Sequence, residues 1–283
     1  MCCCLITFHA VFRGKSFILW CVTLSVAIIT KNEEANIRRT LESVRWADEI
    51  IVVDSGSTDR TCEIARALGA KVFVEDWKGF AAQKNSAIEK CTGDWILSLD
   101  ADEEVGIGLA EAIGRILGPD AHEYATAAAV SIARRNLFLG RWIKYGGFSP
   151  DRKVRLFRRG MALFRQVPVH ENLEVSGKIL TLDWNYEMDE TALIHHTYPT
   201  LSSYIDHMNS YSSLGAEMAV AKGQSRFSIL NIVVRPLTTF IYNYFFRLGF
   251  LDGREGLLLH LYHSAYISWK YAKAWKIGRS GSS

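Results

Sequence analysis

Four carboxylates crowd the stretch "DADEE", where Asp100, Asp102, Glu103 and Glu104 follow directly on the short apolar run Trp95 to Leu99. Like charges this close repel one another, so the arrangement requires a positive partner. Two carboxylates at i and i+2 on a turn can face one divalent ion, and Mg²⁺ or Mn²⁺ takes oxygen ligands and completes its shell from phosphate. A lone D-x-D is ordinarily a solvated acidic turn; its place at the end of a buried strand is what favours the ion. Two further strand-like runs also end in polar residues: Leu24 to Ile29 enters "TKNEE" (Thr30 to Glu34), and Glu49 to Val53 enters "DSGSTD" (Asp54 to Asp59). Asn32 followed by Glu33 and Glu34 reads as a helix N-cap with acids in the first turn, and Ser57 or Thr58 as the cap of the next helix. Capping leaves Asp54 unexplained, because it precedes the turn.

The elements that must position these groups are legible from apolar spacing. Leu24 to Ile29 predicts a strand and Glu33 to Trp46 a helix, with Ile37, Leu41 and Val44 on one face. Strands at Glu49 to Val53, Lys71 to Val74 and Asp94 to Leu99 alternate with helices at Thr58 to Leu68 and Phe80 to Cys91. Such alternation predicts a mostly parallel sheet with helices on both faces, and ligands bind such sheets outside the carboxyl ends of the strands. The three polar strand ends would then share one crevice. Beyond Gly118, Ala125 to Gly140 and the runs "KVRLFRR", "VHENLEV" and "ILTLDW" read as strands of a mixed or antiparallel continuation, followed by a helix within Tyr198 to Ala221. From Arg226 to Phe250, Asn231, Arg235, Thr239, Asn243 and Arg247 recur every fourth residue as a polar stripe on an otherwise apolar helix, with a kink expected at Pro236. A second aromatic-rich helix, Arg254 to Ile277, carries Lys270, Lys273 and Lys276.

Composition narrows the function class. A 283-residue chain suits about one and a half to two domains. A hydrophobic share of 49%, with eight Trp, eleven Tyr and fourteen Phe, points to an apolar surface for lipid or a partner. The net charge of +3 is too small to argue for nucleic acid. Cys2, Cys3, Cys4 and Cys21 crowd the start and leave Cys62 and Cys91 far apart, so neither zinc spacing nor a disulfide framework emerges, as suits a reducing cytoplasm. Residues 1–22 read as an extension: the apolar runs flanking Arg13 and Lys15 are each too short to span a bilayer, and no signal-peptide cleavage site is evident. No G-x-G-x-x-G follows the first strand, which argues against a Rossmann dehydrogenase.

The segments "SVAIITKNEEANI", "EIIVVDSGSTDRT" and "GFAAQKNSAIEKCTGDWILSLDADEE" resemble, in order, the nucleotide-sugar domain of family 2 inverting glycosyltransferases. "VHENLEV", "ALIHHTY" and "GFLDGREG" further resemble the lipopolysaccharide core beta-1,4-glucosyltransferases of that family. The resemblance implies an α/β GT-A fold with a Rossmann-like mixed sheet, a UDP-sugar donor and a divalent metal, Mg²⁺ or Mn²⁺. By position it implies that Thr30, Asn32 and Glu33 line the nucleoside site, Asp54 contacts the base, and Lys84 lies near the donor. Asp100 and Asp102 would hold ribose, metal and diphosphate, with His195, favoured by register over His196, as a further metal ligand. Glu171 matches the position of the general base, with Asp183, Glu187, Asp189 and Glu190 as fallback candidates. Arg155, with Arg152 and Lys153, would offer cationic contacts to the donor. One departure is Ser55, where many relatives carry a second acid.

The expectation is therefore a transferase domain over residues 23–225 and a helical, membrane-associating region over 226–283. The chain would act in the cytoplasm, peripherally on the inner membrane surface, moving glucose from UDP-glucose to a lipopolysaccharide inner-core heptose. Two rivals stand beside it. A polyprenyl-phosphate sugar transferase of the same fold would tolerate loss of Glu171, and a non-catalytic membrane adaptor would be indifferent to loss of Asp102.

Overall fold

Apolar runs flanked by turn residues become a mixed sheet with helices on both faces. The computed structural model describes residues 22–119, 121–165, 172–183 and 191–280. The first unit comprises β1 (Leu24–Thr30), α1 (Ile37–Ser43), β2 (Glu49–Asp54), α2 (Thr61–Ala67), β3 (Lys71–Val74), α3 (Phe80–Glu89) and β4 (Trp95–Asp100). β1 runs parallel to β2 and β4, and β2 to β3. Leu24 to Ile28 are all buried, as a strand covered on both faces requires. Val26, Ile28, Leu97 and Leu99 pack under Ile37 and Leu41 of α1 and Ile64 of α2, while Ala27, Ile51, Val53 and Ile96 face Ala87 of α3. α1 and α2 start later than the sequence pattern predicts. The Asn32 side chain bonds the Thr58 amide, and the Ser57 hydroxyl bonds the Asn32 amide, so these residues tie two loops together instead of capping helices.

The chain then reverses. It continues through β5 (Glu103–Val105), α4 (Ile107–Leu117), β6 (Ala127–Phe138), β7 (Arg141–Trp142), β8 (Asp151–Arg158), β9 (Ala162–Arg165), β10 (Asn172–Val175), β11 (Lys178–Thr181) and β12 (Leu193–Tyr198). The main sheet has the order β3-β2-β1-β4-β8-β6-β12-β5, and β9 and β10 form a separate two-stranded antiparallel sheet. β8 is antiparallel to β4 and to β6, which places the first residues of β8 and the last of β6 beside the carboxyl end of β4. β12, parallel to β6, sets His195 opposite Asn136, and β5 sets Glu103 opposite His195. Of the mixed or antiparallel continuation expected, the structure shows the mixed one, with β11 and β12 parallel to β6 and β8 antiparallel to it.

α5 (Leu201–Ala221) starts at a capping box in which Thr200 and Ser203 bond reciprocally. α6 (Arg235–Ile241) is flanked by wide π-helical turns at Leu230–Val234 and Tyr242–Phe246, so the irregularity expected at Pro236 lies in the turn just before it. α7 (Gly253–Ser280) packs along α5 through Ala216, Ala219 and Ala274, small residues that allow close approach. A second core of Phe138, Ile143, Tyr204, Met208 and Leu259 joins these helices to the sheet.

Candidate active site

Register brings the three polar strand ends together. Thr30 is opposite Asp54, and Ile29 is opposite Asp100, so Asp54 and Asp100 flank the end of β1 on either side. The loops after β1 and β2 are stitched at 2.8 Å by the Asn32 amide to Ser57 Oγ, by the Thr58 amide to Asn32 Oδ1, and by the Glu33 amide to Thr61 Oγ1. Asn32 sits at φ 54°, the left-handed region Asn tolerates better than most residues. Asp54 is fully buried: Oδ1 accepts from the Gly56 and Ser57 amides at 3.0 and 2.8 Å, and Oδ2 from the Ser57 hydroxyl. Both carboxylate oxygens of Asp54 are thus engaged, and it shapes the turn from within without capping a helix. Thr30 is buried on the same edge, and its hydroxyl has no hydrogen-bond partner among the described residues.

The positive partner that the acidic stretch requires is built largely from side chains. Asp100 Oδ1 lies 2.8 Å from Lys84 Nζ, and Oδ2 lies 2.6 Å from Arg155 Nη2. The same Nη2 meets Glu103 Oε1 at 2.5 Å, and Arg134 Nη1 reaches that oxygen at 3.1 Å. Glu103 Oε2 accepts the Asp100 amide at 2.9 Å, while Arg134 also binds Asp151. Burial pushes the Asp100 carboxyl up, but Arg155 and Lys84 outweigh it and hold the group well below the usual carboxylate range. Burial likewise opposes the Arg155 charge, and Asp100 and Glu103 more than restore it. The sequence suggested a metal ion as the balancing charge; for Asp100 and Glu103 the structure shows Lys84, Arg155 and Arg134 in that place.

Asp102 is different. Its Oδ2 faces His195 Nε2 at 3.3 Å. The Asn136 amide nitrogen donates to Asp151 Oδ2 at 3.0 Å, which turns Asn136 Oδ1 toward His195 Nδ1 at 2.8 Å. An amide oxygen only accepts, so the contact with Asn136 places a proton on Nδ1 and leaves Nε2 facing the Asp102 carboxylate. A ring with its proton on Nδ1 and a lone pair on Nε2 would share a cation with that carboxylate. Burial raises the Glu33 pKa, and after the opposing Asn36 hydrogen bond the charge of Asp102 raises it further, so negative potential accumulates here. His196 instead pairs with Glu104 at 2.8 Å. Among the described residues no group of three or more His, Cys, Asp or Glu converges on a metal-sized site. Above this pair, Tyr198 meets His207 edge-on, and His207 stacks on Tyr211 at 4.2 Å. Burial lowers the His207 pKa, against the pull of Asp102.

Glu171, Glu187, Asp189 and Glu190 lie outside the described residues. Asp183 is exposed, and its carbonyl accepts from the Thr191 hydroxyl. Arg152 reaches the Leu182 carbonyl, and exposed Lys153 lies 3.5 Å from Asp151, so of the three basic residues Arg155 alone is shown bonded to Asp100. Arg134, Asn136, Asp151 and His207 were not foreseen. Arg134 and Asn136 interrupt the apolar pattern of β6 before it resumes at Leu137 and Phe138, so they lack the polar-end signature that marked the other three strands.

Residues 25–173 match the family described as Glycosyl transferase family 2. An uncharacterized glycosyltransferase of Rickettsia typhi is 33% identical over 240 residues, covering 83% of this chain and 80% of that protein. The lipopolysaccharide core biosynthesis glycosyltransferase LpsC of Rhizobium meliloti is 30% identical over 241 residues, covering 81% and 82%. Among solved structures, the mannosyltransferase PcManGT of Pyrobaculum calidifontis, in complex with GDP-Man and Mn²⁺, aligns with a TM-score of 0.51 over 90% of this chain and 88% of that one. Its identity of 15% makes that likeness one of fold.

Proposed function

Because this chain belongs to glycosyl transferase family 2, we propose that it moves glucose from UDP-glucose to a hydroxyl of a lipopolysaccharide inner-core heptose, inverting the anomeric carbon. The observation that carries this reading is the meeting of Thr30, Asp54 and Asp100 on one sheet edge, with Asp102 and His195 facing one another at 3.3 Å beside it. The name of LpsC supports the acceptor class, and the GDP-Man and Mn²⁺ bound to PcManGT support a nucleotide-sugar donor and a divalent ion.

Asp102 Oδ2 and His195 Nε2 would hold Mg²⁺ or Mn²⁺, which when bound offsets the charge of the departing diphosphate. The stitched loops carrying Thr30, Asn32, Glu33 and Asp54 form the nucleoside end of the crevice. Lys84 and Arg155 keep Asp100 ionised and fixed, so that it accepts hydrogen bonds from the donor without reorganising. The acceptor oxygen bonds to the anomeric carbon as the bond from that carbon to the diphosphate oxygen breaks. The hydroxyl proton passes to the Glu171 carboxylate, a role that rests on the resemblance at "VHENLEV".

The test is incubation with a panel of UDP-sugars and rough-type lipopolysaccharide, with and without Mn²⁺, with products read by mass. Glucose transfer that stops in chelator is expected. Transfer undiminished in chelator overturns the metal, another preferred donor overturns the sugar, and a Glu171→Gln variant that keeps most of its activity overturns the hydroxyl acceptor.

A further inference from the structure

The helix from Leu230 to Phe246 is inverted relative to one facing water. The uncharged part of its polar stripe is turned toward the protein: Asn231, Thr239 and Asn243 are half-buried, while Arg235 and Arg247 are exposed, Arg235 bonding the Tyr271 hydroxyl on α7 and lying 5.2 Å over that ring. At its end the Arg247 carbonyl accepts the Gly146 amide at 2.9 Å. The opposite face carries Leu230, Val234, Leu237, Ile241 and Phe245, which are 39 to 61% exposed, and beside them Phe246 is 73% exposed. The spacing of these residues puts them on a single helical face, a contiguous apolar surface far beyond scattered exposed residues. No described helix is long and apolar enough to cross a membrane, so this face can meet lipid only by lying along it.

Charge identifies the occupant. From Lys222 to Arg279 the chain carries nine Lys and Arg but only Asp252 and Glu255 as acids, although its net charge is only +3. Lys222, Arg226, Arg254 and Arg279 are exposed, as are Arg235 and Arg247 on the helix itself and at its end. A second copy docking here would set two such basic regions against each other, whereas an anionic lipid surface complements both the charge and the apolar face. We propose that the Leu230 to Phe246 face docks in the interface of a bilayer containing anionic phospholipid. The argument does not depend on the sugar or the acceptor.

The test is flotation of the full chain with vesicles of phosphatidylcholine alone or with about 30% phosphatidylglycerol. Capture by the anionic vesicles is expected, weakened by salt and reduced at least ~10-fold by the triple substitution Leu237→Gln, Ile241→Gln and Phe245→Gln. Should the triple variant fail to fold, an Ile241→Cys variant carrying an environment-sensitive fluorophore gives the same reading, with a blue shift expected on addition of anionic vesicles. The proposal is overturned if the native chain stays unbound, if the triple variant floats equally well, if the fluorophore does not respond, or if the face instead mediates a dimer that the triple variant dissociates.

Discussion

Arg155 is 6% exposed and bridges Asp100 to Glu103, which is itself fully buried. Removing one member of a buried ion pair leaves the other uncompensated, typically at roughly 3–5 kcal/mol. Arg155→Met is therefore expected to lower the unfolding free energy by about 3 kcal/mol, toward the low end because Arg134 still reaches Glu103. Urea denaturation measures it, and a loss below about 1 kcal/mol would mean the network contributes little. Asn136 acts through His195 by fixing which ring nitrogen is protonated. Outer-shell partners of this kind typically govern metal affinity by about 10–100-fold, so Asn136→Leu should weaken Mn²⁺ binding by about that factor. Titration of free Mn²⁺ by electron paramagnetic resonance reads this without any turnover, and unchanged affinity would remove Asn136 from the metal's support.

The segment between β7 and β8 is clamped by the C-terminal helices. The buried Asp252 carboxylate accepts the Lys144 and Tyr145 amides at 3.0 and 2.9 Å, and Gly146 at φ 69° packs so closely on His260 that a Cβ there would collide with the ring. His260 is 1% exposed, with no hydrogen-bond partner on either ring nitrogen among the described residues. Burial, with His263 adding to it, lowers its pKa from 6.5 to about 4. The unfolded chain takes up a proton as pH falls through 6.5, while the folded ring refuses it until about 4. Stability is therefore lost across that window, by up to about 3 kcal/mol. A His260→Leu variant, which cannot be protonated, should show a flatter stability profile over that range in urea denaturation. Parallel profiles would acquit His260. None of this clamp is legible in the sequence, since Asp252 lies more than a hundred residues from the amides it caps. The parallel unit was legible, because each of its strands and helices announces its own apolar period. Arg134 and Arg155 were not assigned to Asp100 and Glu103, because antiparallel register across β4, β8 and β6 is a long-range property. The polar stripe from Asn231 to Arg247 was readable as a pattern, but only packing against α7 shows which way it faces.

At the scale of the whole molecule, the proposed lipid-facing helix and the crevice are mechanically joined. Arg247, at the end of that helix, carries the Gly146 amide, and the segment from Gly146 leads directly into β8, whose Asp151 and Arg155 belong to the site network. A chain held flat on a bilayer by the Leu230 to Phe246 face would search for its acceptor in two dimensions. A glycolipid acceptor anchored in the same bilayer is then present at an effective concentration well above its bulk value, a gain that can reach about 10²–10⁴ without any new contact at the crevice. Initial rates should accordingly be at least ~10-fold higher when the lipopolysaccharide acceptor is embedded in anionic vesicles than when its lipid-free core oligosaccharide is supplied at the same bulk concentration. The triple substitution Leu237→Gln, Ile241→Gln and Phe245→Gln should erase that difference while leaving the rate on the free oligosaccharide unchanged, since none of the three residues touches the site. Equal native rates on the two acceptors would show that docking and transfer are uncoupled, and a triple variant slowed equally on both would place the helix in catalysis itself instead of in delivery to the membrane.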